Sequence, residues 1–320
     1  MKLEEIRGIS VLGAGIMGHG IAQTFLMGGY PVALYDVEQS ILDTARTHIE
    51  RNLKLFYQFN LVGEAEIAPC LQRLTTTLDL RTCVKDSDFI LEAVPEDLEL
   101  KQKLFEEIES YCRDDAILAS NTSSLTLADM AVRVKNKGRL VITHWFNPPH
   151  IVPTVEVVKS QWTTEETSDT AYALLAKLKK LPIMIARELP GFVVNRIQIA
   201  LIREVLSLYD QGVASAEDID RAVRGSIGFR LASIGPLQTV DMAGVNTWLK
   251  VCKNLLPVIE NSTDAPRALQ RLVSEGHDGI KTGRGFYDYS RTFSEGTLDE
   301  AVQRRDTEFL NRLKNLYWKE

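Results

Sequence analysis

The chain is poor in cysteine. Its 320 residues include four, Cys70, Cys83, Cys112 and Cys252, and no two are spaced C-x-x-C. This excludes a zinc ribbon and a disulfide framework. It fits reduced thiols in the cytoplasm, packed as small hydrophobes. Positive charge is not in excess either. Lys and Arg number 37 against 43 Asp and Glu, a net charge of -6, which argues against a nucleic-acid surface. No apolar run reaches the length of a membrane span. The opening "MKLEEIRG" runs straight into a strand pattern and leaves no room for a secretory signal. No metal-ligand spacing occurs among the five histidines and four cysteines. There is no internal repeat and no low-complexity tract.

What remains is an ordinary globular composition, 45% hydrophobic and 25% charged, in a chain long enough for two domains. The first half alternates β-rich runs with helical patterns. "GISVLGAG", "PVALYDV", "DFILEAV", "AILASNTSS", "RLVITHWF", "TVEVVKS" and "LPIMIARE" read as strands. Between the second and third, residues 38–59 carry Ile41, Ala45, Ile49 and Leu53 at helical spacing. Such alternation implies crossover connections and a mostly parallel, doubly wound sheet. After Pro190 and Gly191 strand patterns stop and helices follow, one of them capped by Ser215. The expected organisation is α/β: a Rossmann-type domain over 1–187 and an all-helical domain over 188–320.

"VLGAGIMGHG" places Gly13, Gly15 and Gly18 in the spacing G-x-G-x-x-G. The motif is weak alone, but here a strand leads in and a helix follows. Gly13 permits the tight turn, Gly15 the approach of a pyrophosphate, and Gly18 the packing of helix on strand. Ile16 and Met17 lie inside the same loop. An acidic residue is required about 20 positions on, at the end of the second strand. Asp36 stands there with no Arg or Lys beside it. A carboxylate at that point bonds the ribose of NAD and repels the 2′-phosphate of NADP. The cofactor expected is NAD.

Among the histidines, His48 sits amid Arg and Glu on the long helix and His277 in a loop pattern. His19 follows the glycine loop and reads as packing near it. His144 ends a predicted strand, where open α/β sheets bind ligands. Glu156 lies within the apolar strand "TVEVV". Either it pairs with His144, or the strand is an edge with Glu156 in water. Ser123 reads as turn or cap chemistry and Asn195 as a polar residue at a helix start.

These segments together resemble the 3-hydroxyacyl-CoA dehydrogenase superfamily. The resemblance is carried by "GAGIMGHGIAQ", "EAVPEDLELK", "SNTSSL", "HWFNPPH" with "VEVV", "PGFVVNR", "GPLQTVD" and "KTGRGFYDY", in that order. It implies an active site of Ser123, His144, Glu156 and Asn195. It implies nicotinamide and ribose contacts at Asp36, Glu96, Lys101 and Asn147, with the loop residues 13 and 15–18 around the cofactor. The family implies oxidation of a 3-hydroxy group to 3-oxo, without a metal. The helical second domain is rich in apolar faces and too small to bury them all, which points to a homodimer joined through it.

The superfamily holds CoA-ester enzymes and a branch acting on free hydroxy acids, including gulonate dehydrogenases (lambda-crystallin) and pyridine-carboxylate enzymes. "SNTSSL" and "KTGRGFYDY" are similar to the CoA-ester enzymes. Pro153, Arg230 in "IGFRLASIGPL" and the tail beyond "FYDY" are similar to the free-acid branch, where Arg230 would hold the substrate carboxylate. CoA-ester enzymes carry lysines at the end of the long helix, near the CoA phosphates. Here that stretch is "LKLFYQFNLVGEAEI", with one basic residue. The expected substrate is therefore a small free 3-hydroxy carboxylate. A 3-hydroxyacyl-CoA ester and a non-catalytic NAD-binding role stand as the alternatives. Arg230 in a structural ion pair is the competing reading of that residue.

Overall fold

The computed structural model describes residues 1–290 and 298–318. Strand β1, Ile9–Leu12, is buried at every position, as an inner parallel strand covered on both faces must be. The others are β2 Val32–Tyr35, β3 Leu74–Thr77, β4 Phe89–Glu92, β5 Ile117–Ser120, β6 Leu140–Trp145, β7 Thr154–Val158 and β8 Leu181–Ile185. They form one eight-stranded sheet in the order β3-β2-β1-β4-β5-β6-β7-β8. Neighbours run parallel except β6 and β7, which are antiparallel with His144 opposite Glu156. The order reverses between β1 and β4, the crevice in which such sheets bind dinucleotides.

Helices α1 Gly18–Met27, α2 Gln39–Gln58, α3 Glu64–Gln72, α4 Leu80–Val84, α5 Leu98–Tyr111, α6 Leu127–Met130 and α7 Glu165–Lys177 connect these strands. β3 and α3 are additions to the sequence reading. β3 is a four-residue "LTTT" edge strand without alternation, and α3 carries Pro69. Two apolar layers flank the sheet. One joins Ile21, Phe25 and Ile49 to Val11 and Trp145. The other joins Phe105, Ile108 and Met130 to Ile90 and Ile142.

Beyond β8 the described chain is helical: α8 Val194–Asp210, α9 Ala216–Ala222, α10 Phe229–Leu231, α11 Pro236–Ala243, α12 Val245–Leu255, α13 Arg267–Ser274 and α14 Leu298–Arg312. Ser215 caps α9, its hydroxyl accepting from the Asp218 N–H. The chain divides into two units, 1–195 with 304–320, and 196–303. This differs from the expected boundary near 188 at two places. Residues up to 195 stay with the sheet because Glu156 accepts backbone N–H groups from Val193 and Val194. The tail also returns to the sheet unit. Leu310 and Leu313 pack with Phe56 and Ile151, and the Trp318 indole N–H donates to the Lys179 carbonyl.

Candidate active site

The glycine loop joins β1 to α1. Gly13 has φ +94°, and a Cβ there would lie 2.6 Å from the Ala93 carbonyl oxygen. A Cβ at Gly18 would lie 1.7 Å from the Gly13 oxygen. The protein's own packing demands both glycines. Gly15 is different, because nothing lies within 4 Å of where its Cβ would stand. The open space fits a group that comes from outside the chain. No side chain caps the first turn of α1, which follows Met17; the His19 N–H donates to the Gly15 carbonyl, and the turn's remaining N–H groups suit an anion. Ile16 is exposed on the lip of a cavity of about 300 Å³ that Gly15, His19 and His48 also line. Asp36 is buried at the end of β2. Its carboxylate accepts from the Ala14 N–H at 2.7 Å and the Val37 N–H at 2.8 Å, which aims it at the loop. These residues fit a dinucleotide.

β6 and β7 bring His144 and Glu156 together. Imidazole Nδ1 and carboxylate Oε2 are 2.7 Å apart, and both side chains are buried. β7 lies between β6 and β8, so the edge-strand reading of Glu156 is excluded. The other carboxylate oxygen accepts from Val193 and Val194, each at 2.9 Å. With those bonds made, Glu156 is held as an acceptor and the Nδ1 proton is assigned to His144. Phe146 and Phe192 wall the imidazole at ring-centre distances of 4.6 and 5.4 Å.

Ser123 follows β5 and is exposed. Its backbone N–H, with that of Ser124 and the Thr122 and Ser124 hydroxyls, donates to Glu96 Oε1 at 2.6–3.0 Å. Burial pushes the Glu96 carboxyl up. The Thr122 and Ser124 bonds and the Lys101 charge outweigh it and bring Glu96 down to about 2. Asn195, in the first turn of α8, donates from Nδ2 to the Ser123 carbonyl at 3.3 Å. Ser123, His144, Glu156 and Asn195 therefore all belong to the first unit. Asn147 is exposed just beyond β6.

Lys101 is a correction. The family resemblance implies a direct cofactor contact, but its ammonium is buried and bonded to Glu92 at 2.6 Å and Glu96 at 3.2 Å. It lies behind Glu96 rather than open to a ligand. Glu92 was not singled out in the sequence. It is fully buried and also accepts from Ser120 and the Val94 N–H. The only sequence signal for it was an acid within the apolar strand "FILE", the same signal that marked Glu156. Arg230 lies in α10, in the second unit. Its Nε donates to the Ser226 carbonyl at 3.3 Å. No carboxylate lies within ion-pair distance of it among the described residues.

Comparison with known proteins joins these features. The description "3-hydroxyacyl-CoA dehydrogenase, NAD binding domain" matches residues 8–189, and the corresponding C-terminal domain matches 191–289. The chain belongs to the 3-hydroxyacyl-CoA dehydrogenase family. It is an NAD-dependent oxidoreductase with a Rossmann-type sheet followed by helices. Relatives lie in both branches. A 5-formyl-3-hydroxy-2-methylpyridine 4-carboxylate 5-dehydrogenase of Mesorhizobium japonicum is 33% identical over 89% of this chain and 91% of its own. A 3-hydroxybutyryl-CoA dehydrogenase of Clostridioides difficile is 34% identical over 88% of this chain and 99% of its own. The solved structure of a 5-formyl-3-hydroxy-2-methylpyridine 4-carboxylic acid 5-dehydrogenase, described as an NAD+ dependent dismutase, superposes with a TM-score of 0.90. It is 29% identical and covers 98% of this chain and 100% of that one.

Proposed function

We propose that the chain oxidises the 3-hydroxy group of a small free 3-hydroxy carboxylate to the 3-oxo acid, reversibly. The observation that carries the chemistry is the buried His144–Glu156 pair beside the Asn195–Ser123 contact. NAD, when bound, supplies the hydride acceptor. Gly13, Gly15, Ile16, Met17 and Gly18 would hold its pyrophosphate and Asp36 its adenosine ribose, with Glu96 and Asn147 toward the nicotinamide end. His144 takes the hydroxyl proton on Nε2 as the C–H bond breaks. Glu156 keeps Nδ1 protonated and stabilises the imidazolium that forms. The Ser123 hydroxyl and the Asn195 amide hold the reacting oxygen. Buried Phe192 and half-buried Phe146 limit the water that reaches the imidazole.

Three observations support the free acid over the CoA ester. The pyridine-carboxylate enzyme's structure accounts for nearly the whole chain, tail included. The tail covers Phe56, Phe59 and Val62 at the end of α2, where the CoA-ester enzymes carry lysines. Among the described residues Arg230 has no carboxylate partner, which suits a guanidinium that takes one from a substrate. The CoA-ester reading keeps one observation of its own, the match over 99% of the Clostridioides difficile enzyme.

The test is NADH formation from a panel of free 3-hydroxy acids and from 3-hydroxybutyryl-CoA. The free acid should be the better substrate, and Arg230→Met should raise its KM by about 30-fold or more, the cost of a broken charge-assisted pair. Turnover of the CoA ester alone would refute this reading. The partner assigned is a second copy of the chain, joined through the helical unit. The four free cysteines fit the cytoplasm, which is the location assigned.

A further inference from the structure

The loop between β6 and β7, residues 146–153, joins the strand of His144 to the strand of Glu156 and carries Asn147. Its one internal backbone-bonded feature is a turn in which the Ile151 and Val152 N–H groups donate to the Pro148 carbonyl. Within it the Pro149 and Val152 carbonyls receive no backbone N–H among the described residues. Both accept instead from one side chain. Lys180, just before β8, donates from Nζ to Pro149 at 2.6 Å and to Val152 at 2.9 Å. Its ammonium also lies 5.3 Å from the centre of the Trp145 ring, next to His144 in sequence. Lys180 is 7% exposed. No carboxylate lies within ion-pair distance of it among the described residues.

A lysine buried without a counter-ion is expensive. An apolar residue of the same length would avoid that cost, but would leave two buried carbonyls unsatisfied. The geometry therefore spends a buried amine without a counter-ion on fixing one loop. The backbone just before Lys180 is anchored in turn. Lys179 adopts φ +58°, and its carbonyl accepts from the Trp318 indole. The ammonium thus grips the loop from a fixed point on the sheet.

We propose that Lys180 is a positioning residue for the reaction. It fixes the loop so that Asn147 meets the nicotinamide end of the bound dinucleotide. This rests on the reading of Asn147 as a cofactor contact. Lys180 itself touches no reacting atom; it acts through the Pro149 and Val152 carbonyls. A purely structural lysine would affect the protein's melting but not discriminate between parts of the cofactor.

The test is binding of NADH and of ADP-ribose, which lacks the nicotinamide, by calorimetry on the full chain. Lys180→Met should weaken NADH about tenfold, the scale of one lost hydrogen bond, and leave ADP-ribose unchanged. Asn147→Ala should do the same, and the double variant should bind NADH no more weakly than Asn147→Ala alone. Wild-type NADH affinity in Lys180→Met, or equal losses for both ligands, would overturn the proposal. An Asn147→Ala variant with unchanged NADH affinity removes the cofactor reading of Asn147, and the proposal with it. Should Lys180→Met fail to fold, Lys180→Gln keeps one donor and should give an intermediate loss. Wild-type binding there overturns the proposal equally.

Discussion

The two units are built from similar proportions of apolar residues but use them differently. In the first, large side chains such as Trp145, Phe25, Phe89 and Phe105 are almost entirely removed from water. In residues 196–303 only Leu206, Ile219 and Ala268 are buried hydrophobics among the described residues. Leu237 is 80% exposed, and Phe229, Met242, Val258 and Val273 are about as open. The first unit carries its own core and holds the His144–Glu156 pair within it. The second leaves most of its large apolar side chains open to water. The difference teaches that the first unit spends its apolar residues on holding a site, whereas the second leaves its own open, and it is this open surface that the proposed second copy would cover.

The site side of this comparison is broken most severely at His144. His144→Gln should cost about 10²–10⁴-fold in kcat, the range for a lost general base, with NADH binding and melting little changed. Glu156→Gln acts through the same imidazole, so the double variant should be far from additive. Near-normal turnover of His144→Gln would remove the assigned mechanism.

That pair was half legible: a strand-end histidine and an acid in an apolar strand left either a pair or a solvated edge strand, and the family resemblance chose the pair. The glycine loop was fully legible, since Gly13 and Gly18 are fixed by contacts that a Cβ cannot share. What escaped was set by distant packing. The tail beyond "FYDY" read as part of the helical domain, and nothing in its sequence told that Leu310 and Leu313 would meet Phe56 and Ile151. Lys101 matched a motif, and only the fold revealed that Glu92 sits beneath it. β3 carried too little pattern to be seen, because an edge strand of threonines leans on its neighbour β2 rather than on a face of its own.

The second unit is tested by charging its open surface. Leu237→Glu with Met242→Glu, both in α11, should shift the protein toward monomer on dilution, measured by light scattering with mass determination. A charge placed in a desolvated apolar contact costs several kcal/mol unless paired. The first unit should hold its NADH affinity throughout. A protein that stays dimeric with both charges present places its contact elsewhere.

The smallest effect lies inside the first unit, in what its self-sufficiency costs. Burial lowers the Lys180 ammonium to about 7 from its ordinary 10.5. Below about pH 7 the group is protonated whether the chain is folded or not, so stability has no slope from it. Between about pH 7 and 10.5 the unfolded chain holds a proton that the folded chain has released. Stability then rises with pH, because the unfolded state binds more protons. His150 faces the same region, and burial holds it well below its ordinary value, so it stays neutral across this window. Lys180→Met removes only the lysine's contribution. The melting difference between wild type and Lys180→Met should therefore move in favour of wild type from pH 7 to 9. The expected slope is on the order of 1 kcal/mol per pH unit, or roughly 2–4 °C. A difference that stays constant over that range would mean that Lys180 keeps its charge in the fold. The two loop carbonyls and the Trp145 ring would then compensate a buried ammonium as fully as water does.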